Sequence, residues 1–87
     1  MASYSVRIKP SAAKELEAVE PKAMRARIVS RIQALARTPR PAGSQKLAGE
    51  AERYRLRQGS YRIVYSIDDA ARVVEVVKIG HRREVYR

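Results

Sequence analysis

The sequence predicts an α+β fold of order β-α-α-β-β-β, an antiparallel sheet packed against an N-terminal helical hairpin. Three observations carry that expectation. Apolar and polar residues alternate over residues 3–9, apolar residues recur at helical spacing between Ala12 and Leu35, and three strand-like runs follow a stretch of chain breakers. With 87 residues there is room for one modest core, so the expectation is a single domain over residues 1–87.

In the first run Tyr4, Val6 and Ile8 fall on one side and Ser5, Arg7 and Lys9 on the other, the pattern of a half-buried strand that Pro10 ends. Ser11 is placed to cap a short helix with Ala12, Leu16 and Val19 on one stripe. Pro21 suits the first turn of a longer helix, in which Met24, Ile28, Ile32 and Leu35 recur at spacings of four, four and three. Arg25, Arg27, Arg31 and Arg37 surround that seam. Residues 38–49, Thr-Pro-Arg-Pro-Ala-Gly-Ser-Gln-Lys-Leu-Ala-Gly, read as a loop crossing to the sheet. Strands are expected over residues 53–58, 61–67 and 73–79, with turns at Gly59-Ser60 and Asp68-Asp69, and such short turns make neighbouring strands antiparallel.

Nineteen Lys and Arg against nine Asp and Glu leave a net charge of +10, which attracts polyanions at a distance. Fourteen of these cations are Arg, the side chain suited to forked recognition of phosphate and to stacking on bases. Nucleic acid is therefore the first expected partner and an acidic protein the second. There is no Cys, which removes disulfides and Cys-based zinc sites from consideration and fits a reducing cytoplasm. No apolar run is long enough to span a bilayer and the N-terminus does not read as a signal peptide, so a cytoplasmic location and no membrane partner are expected.

A two-residue turn at Gly59-Ser60 sets Arg57 opposite Arg62, Leu56 opposite Ile63 and Tyr54 opposite Tyr65. Tyr54, Leu56, Tyr61, Ile63, Tyr65 and Ile67 then share one face and form core, while Arg53, Arg55, Arg57 and Arg62 share the other. Between Arg53 and Arg62 there is no acid, although like charges facing each other across strands weaken a sheet. The clustering points to an anionic ligand, and alternate arginines about 7 Å apart match the phosphate spacing of a single nucleic-acid strand. The remaining groups read more simply. Tyr4, Tyr54, Tyr61 and Tyr65 are expected in core or rim, Glu15, Glu17 and Glu20 on a solvated helix face, and Asp68 and Asp69 in a turn. No acids converge with the lone His81 into a metal nuclease or a two-carboxylate hydrolase, so neither metal nor cofactor is expected.

Tyr54-Arg55-Leu56-Arg57, Gly59-Ser60-Tyr61-Arg62-Ile63-Val64-Tyr65 and Ile79-Gly80-His81-Arg82-Arg83-Glu84-Val85-Tyr86, in that order and spacing, resemble the RelE branch of the RelE/ParE toxin superfamily. Pro39-Arg40-Pro41 and Lys46-Leu47-Ala48-Gly49 of the connector fit as well. The resemblance covers essentially the whole chain. It implies a RelE-like fold and a toxin of a type II toxin-antitoxin system that cuts mRNA on the ribosome, using the RNA's own 2′-hydroxyl. It also implies a cognate RelB-like antitoxin, acidic and wrapped around the toxin, the ribosomal A site with its mRNA as target, and contact with operator DNA only through the antitoxin.

Carried over where the motifs match, the resemblance makes Arg62, Arg82 and Tyr86 the catalytic residues. The family's basic pair before the hairpin is usually Lys, but here it is Arg55 and Arg57. Arg keeps its charge, so these two, with Arg53 and Arg83, are expected to bind phosphate rather than move protons. Arg62 and Arg82 suit stabilisation of the charged phosphorus centre. Tyr86 either serves as base, its pKa drawn down by nearby arginines, or stacks on a nucleobase. Histidine is the residue type whose ordinary charge change falls near neutrality, which makes His81 a secondary candidate acid or base. Two rivals stay open: a ParE-like toxin of the same fold that poisons gyrase, and a non-catalytic basic nucleic-acid-binding module.

Overall fold

Gly59 and Ser60 set the frame of the sheet. Gly59 has φ +60, the left-handed backbone that the first position of a type II′ hairpin turn needs and glycine supplies without strain. The turn joins strand β3 (Arg53–Gln58) to β4 (Tyr61–Asp68) in our computed structural model, which describes residues 3–49 and 52–81. It pairs Arg57 with Arg62, Leu56 with Ile63 and Tyr54 with Tyr65, as the sequence predicts. On the other side β4 pairs antiparallel with a strand running over Val73–His81.

The described elements run β1 (Ser5–Ile8), α1 (Pro10–Glu17), α2 (Lys22–Ala34), β2 (Gln45–Lys46), β3, β4 and β5 (Val73–His81), with sheet order β1-β5-β4-β3-β2. The α+β class stands, and the sheet departs from expectation in two ways. It is mixed, because β1 joins β5 in parallel. Tight turns dictate direction only along β3-β4-β5, and β1 reaches its neighbour through the rest of the chain, where no turn constrains it. The breaker-rich connector also contributes a short edge strand, β2, whose Gln45 and Lys46 pair with Arg55 and Tyr54.

The helix starts differ slightly as well. α1 begins at Pro10 with Lys9 as its N-cap, leaving Ser11 inside the helix with no side-chain cap bond. Proline's fixed φ and missing N–H favour the first helical position, which outweighs the capping preference of serine. Pro21 is the N-cap of α2 rather than part of its first turn. Both helices cover one sheet face, α1 over β5 and α2 over β3. Their Ala12, Ile28, Ile32 and Leu35 close over Tyr54, Leu56, Ile63, Tyr65, Val74, Val76 and Ile79, while Val19 joins from the link after α1. Val76 and Ile79 both reach this core despite their odd spacing, because the register shifts at Val64/Tyr65, with Val64 opposite Lys78 and Tyr65 opposite Val76. The extra residue, Val77, is a β-bulge that resets the alternation.

A polar staple pins the connector where it crosses the sheet. Arg40 donates through Nη1 and Nη2 to Asp69 at 3.2 and 2.8 Å and through Nε to the Tyr54 hydroxyl at 2.9 Å, and its guanidinium carbon lies 5.1 Å from the Tyr54 ring centroid. The Tyr4 hydroxyl donates to Asp69 Oδ1 at 2.7 Å, and Tyr54 in turn donates to Glu52, which also pairs with Lys46. Beneath it the Tyr65 hydroxyl donates to the Pro39 carbonyl at 2.8 Å. Asp69 thus ties Tyr4 and the connector residue Arg40 together as well as being a turn residue. Burial pushes the Tyr65 hydroxyl up to about 12.

The hydrogen bonds from Arg40, and then from Tyr4, hold the Asp69 carboxyl down at about 2, against an ordinary 3.8. A folded value below the unfolded one stabilises the fold fully above about pH 4 and is lost as pH falls toward 2. Thermal melts between pH 5 and 2 should therefore show a steep acid loss of Tm in the wild type and a shallower one in Asp69→Asn, and parallel curves would remove Asp69 from the explanation.

Candidate functional site

The sheet face away from the helices is built from residues that the core rejects. Across it, cross-strand partners form rows: Arg57, Arg62 and Gly80; Gln45, Arg55, Val64 and Lys78; Arg53, Ser66, Glu75 and Arg7. The four predicted strand arginines do share this face. Burying Leu56 and Ile63 is worth about 1.5–3 kcal/mol per side chain, whereas facing like charges cost about 0.2–1 kcal/mol. The core therefore fixes the register, and the Arg57–Arg62 repulsion is carried as a consequence.

The arginines are not equivalent. Arg62, on the central strand, is only 7% exposed, and Val64 beside it on the same face is 6% exposed. Arg55 is half-buried, and its Nη2 donates to the Gln45 side chain carried by β2. Arg53 and Arg57 are exposed. One guanidinium is thus set into the sheet, one is oriented by a neighbour, and two project into solvent. Arg suits the buried position because its delocalised cation is more weakly hydrated than an ammonium. Gly80, opposite Arg62, adds no side chain over it.

His81 pairs with Tyr61, and the two rings meet edge to face with centroids 5.9 Å apart. By alternation that places the imidazole on the helix-bearing side, opposite the face of Arg62. There it lines a cleft of ≈ 190 Å³ with Glu15, Ala18, Tyr61, Lys78, Ile79 and Gly80. Arg82, Arg83 and Tyr86 lie outside the described residues. Sequence reasoning missed Gln45, hidden in a segment read as loop, and Glu15, read as solvated surface. Glu15 reaches the backbone of β5, accepting the Ile79 N–H at 3.0 Å and pairing with Lys78 at 2.8 Å. Among the described residues no group of three His, Asp or Glu could hold a metal ion, and no helix is long and apolar enough to cross a membrane.

Comparison with known proteins places the chain in a family. The family described as the ParE toxin of type II toxin-antitoxin systems, parDE, matches residues 6–86. Toxin RelG of Mycobacterium tuberculosis is 30% identical over 84 residues, covering 97% of each chain. The chain is a RelE-family toxin of the RelE/ParE superfamily. Solved structures agree with the toxin's fold. The RelE–RelB complex of the archaeon Pyrococcus horikoshii OT3 matches at TM-score 0.79 and 28% identity, covering 94% of this chain and 98% of that one. The isolated RelE toxin of E. coli matches at 0.76 and 30%, covering 97% and 92%.

Unequal exposure of the arginines predicts unequal effects. Arg57→Ala should raise Tm by a few degrees at low salt by relieving repulsion with Arg62, and should lower the salt slope of single-stranded RNA binding by about 0.7. Melting curves and RNA titrations at several salt concentrations check both parts. An unchanged slope would show that Arg57 does not meet phosphate.

Proposed function

We propose that the toxin is a ribosome-dependent mRNA endoribonuclease working in the cytoplasm. The observation that carries this reading is Arg62, set into the centre of the cationic face and directly beside Gly80, two residues before Arg82. In the reaction the RNA 2′-hydroxyl loses its proton and attacks the adjacent phosphorus. The bond to the 5′-oxygen breaks, a 2′,3′-cyclic phosphate forms, and the leaving oxygen takes up a proton. Fixed donors aimed at the charge that develops on phosphorus are usually the largest catalytic contribution. Arg62 and Arg82 take that role, with Tyr86 as base or stacking platform. Arg53, Arg55, Arg57 and Arg83 hold the RNA backbone. His81 stays secondary, since its ring faces away from Arg62.

An Arg and Tyr centre has no strong resting base, so the ribosome has to bring the 2′-hydroxyl into line with the leaving oxygen. The partner that restrains the toxin is a cognate RelB-like antitoxin. Two similar toxins, of P. horikoshii and M. tuberculosis, were solved with their antitoxins, and a net charge of +10 favours an acidic partner. An apolar groove of ≈ 350 Å³ between β1 and α2, lined by Val6, Ile8, Val29 and Ile32, offers a seat for apolar side chains. The matched family description favours a second reading, a gyrase-poisoning toxin on the same scaffold.

Primer extension on an mRNA with and without ribosomes, beside a gyrase supercoiling assay, separates the two. Cutting should require ribosomes, and Arg62→Ala should slow it by about 10²- to 10³-fold while the fold is kept. Robust cutting by Arg62→Ala would unseat the centre, and gyrase inhibition without mRNA cleavage would favour the second reading.

A further inference from the structure

β5 outlasts its neighbour. The final backbone bond from the β1 side runs from Lys9 N–H to the Val76 carbonyl at 2.9 Å, yet β5 continues to His81 with β4 along its other edge. Where β1 has ended, the Ile79 N–H points to a side chain instead of a strand. Glu15 Oε1 accepts it at 3.0 Å, and Oε2 accepts Lys78 Nζ at 2.8 Å. The chain reaches this arrangement economically. Pro10 starts α1 immediately after β1, α1 packs on β5, and Glu15 lies about one and a half turns along it.

The two bonds differ in consequence. The ion pair is half-exposed, with side-chain exposures of 43% for Lys78 and 30% for Glu15, and pairs of that kind contribute little. The backbone bond is charge-assisted and ties down the residue next to Gly80, which is the cross-strand partner of Arg62. Beyond Gly80 the chain leads to Arg82 and Tyr86.

We propose that Glu15 is a positioning residue of the site, resting on the endoribonuclease reading: its carboxylate stands in for the missing strand and fixes the end of β5. Gly80 thereby stays in register beside Arg62, and the chain toward Arg82 departs from a set point. Glu15 touches no reacting atom, and its effect passes through the β5 backbone. A misplacement of about 1 Å at a catalytic group can cost about 100-fold in rate.

The test follows the full-length toxin on ribosomes programmed with one mRNA, measuring kcat and the half-saturating ribosome concentration, together with amide hydrogen exchange at Ile79 in the free protein. Glu15→Ala should speed exchange at Ile79 and lower kcat by about 10- to 100-fold, with half-saturation nearly unchanged. Glu15→Gln, whose amide oxygen still accepts the N–H, should recover most of the rate. If Glu15→Ala does not fold, Glu15→Asp, one methylene too short, should show the same split between kcat and half-saturation. A wild-type kcat in Glu15→Ala, a Glu15→Gln as slow as the alanine variant, or a loss confined to half-saturation would overturn the proposal. Wild-type toxin that fails to cut would instead overturn the endoribonuclease reading on which it rests.

Discussion

The register of β4 against β3 is the constraint on which the rest of the molecule depends. Side chains alternate along a strand, so a slip of one residue would carry Ile63, Tyr65 and Ile67 into solvent and drive Arg62 under the helices. Two things prevent it. The two-residue turn with its left-handed Gly59 fixes the count, and the apolar inner face makes any other count costly. Because β4 is paired on both sides, the same choice sets which residues of β5 lie beside Arg62. Core packing and site geometry are thus one decision, with the outer arginines placed by the burial of the residues between them.

Charge is distributed around that decision in two ways. At the end of the sheet where the connector crosses, Arg40, Asp69, Tyr4 and Tyr54 neutralise and orient one another, and the cation is consumed in holding the chain. On the outer face Arg53, Arg55, Arg57 and Arg62 sit in rows whose one acid is Glu75, paired across the strands with Arg7. The first arrangement lowers the energy of the isolated protein. The second sets Arg57 and Arg62 directly opposite each other across the strands, a like-charge pairing that weakens a sheet. One residue type serves both purposes, holding the chain at one end of the sheet and lining its outer face at the centre.

Much of this was legible in the sequence because it depends on local periodicity. The hairpin register, the two helices and the common face of the four arginines follow from alternation, helical spacing and one glycine. Features that depend on distant partners were not legible. Nothing near Ser5–Ile8 announces that its neighbour is β5 or that the pairing is parallel. Gln45 looks like loop because its strand is two residues long and exists only beside β3. Glu15 looks like any exposed helical acid, since its importance comes from the point where a different element stops. The odd spacing of Val76 and Ile79 signals a break in alternation at Val77 but not which strand absorbs it.

The parallel seam between β1 and β5 joins residues 5–8 to residues 73–76, so the sheet closes between segments almost a full chain length apart. Contacts of such high sequence separation form slowly, because the entropy of closing the loop is lost before the contacts compensate for it. During synthesis β1 is made first and has no strand to join until β5 has been made. A chain interrupted before β5 therefore lacks both the seam and the strand that carries Gly80 to Arg62. The order in which the polypeptide is made thus delays assembly of the arginine face until β5 has been synthesised.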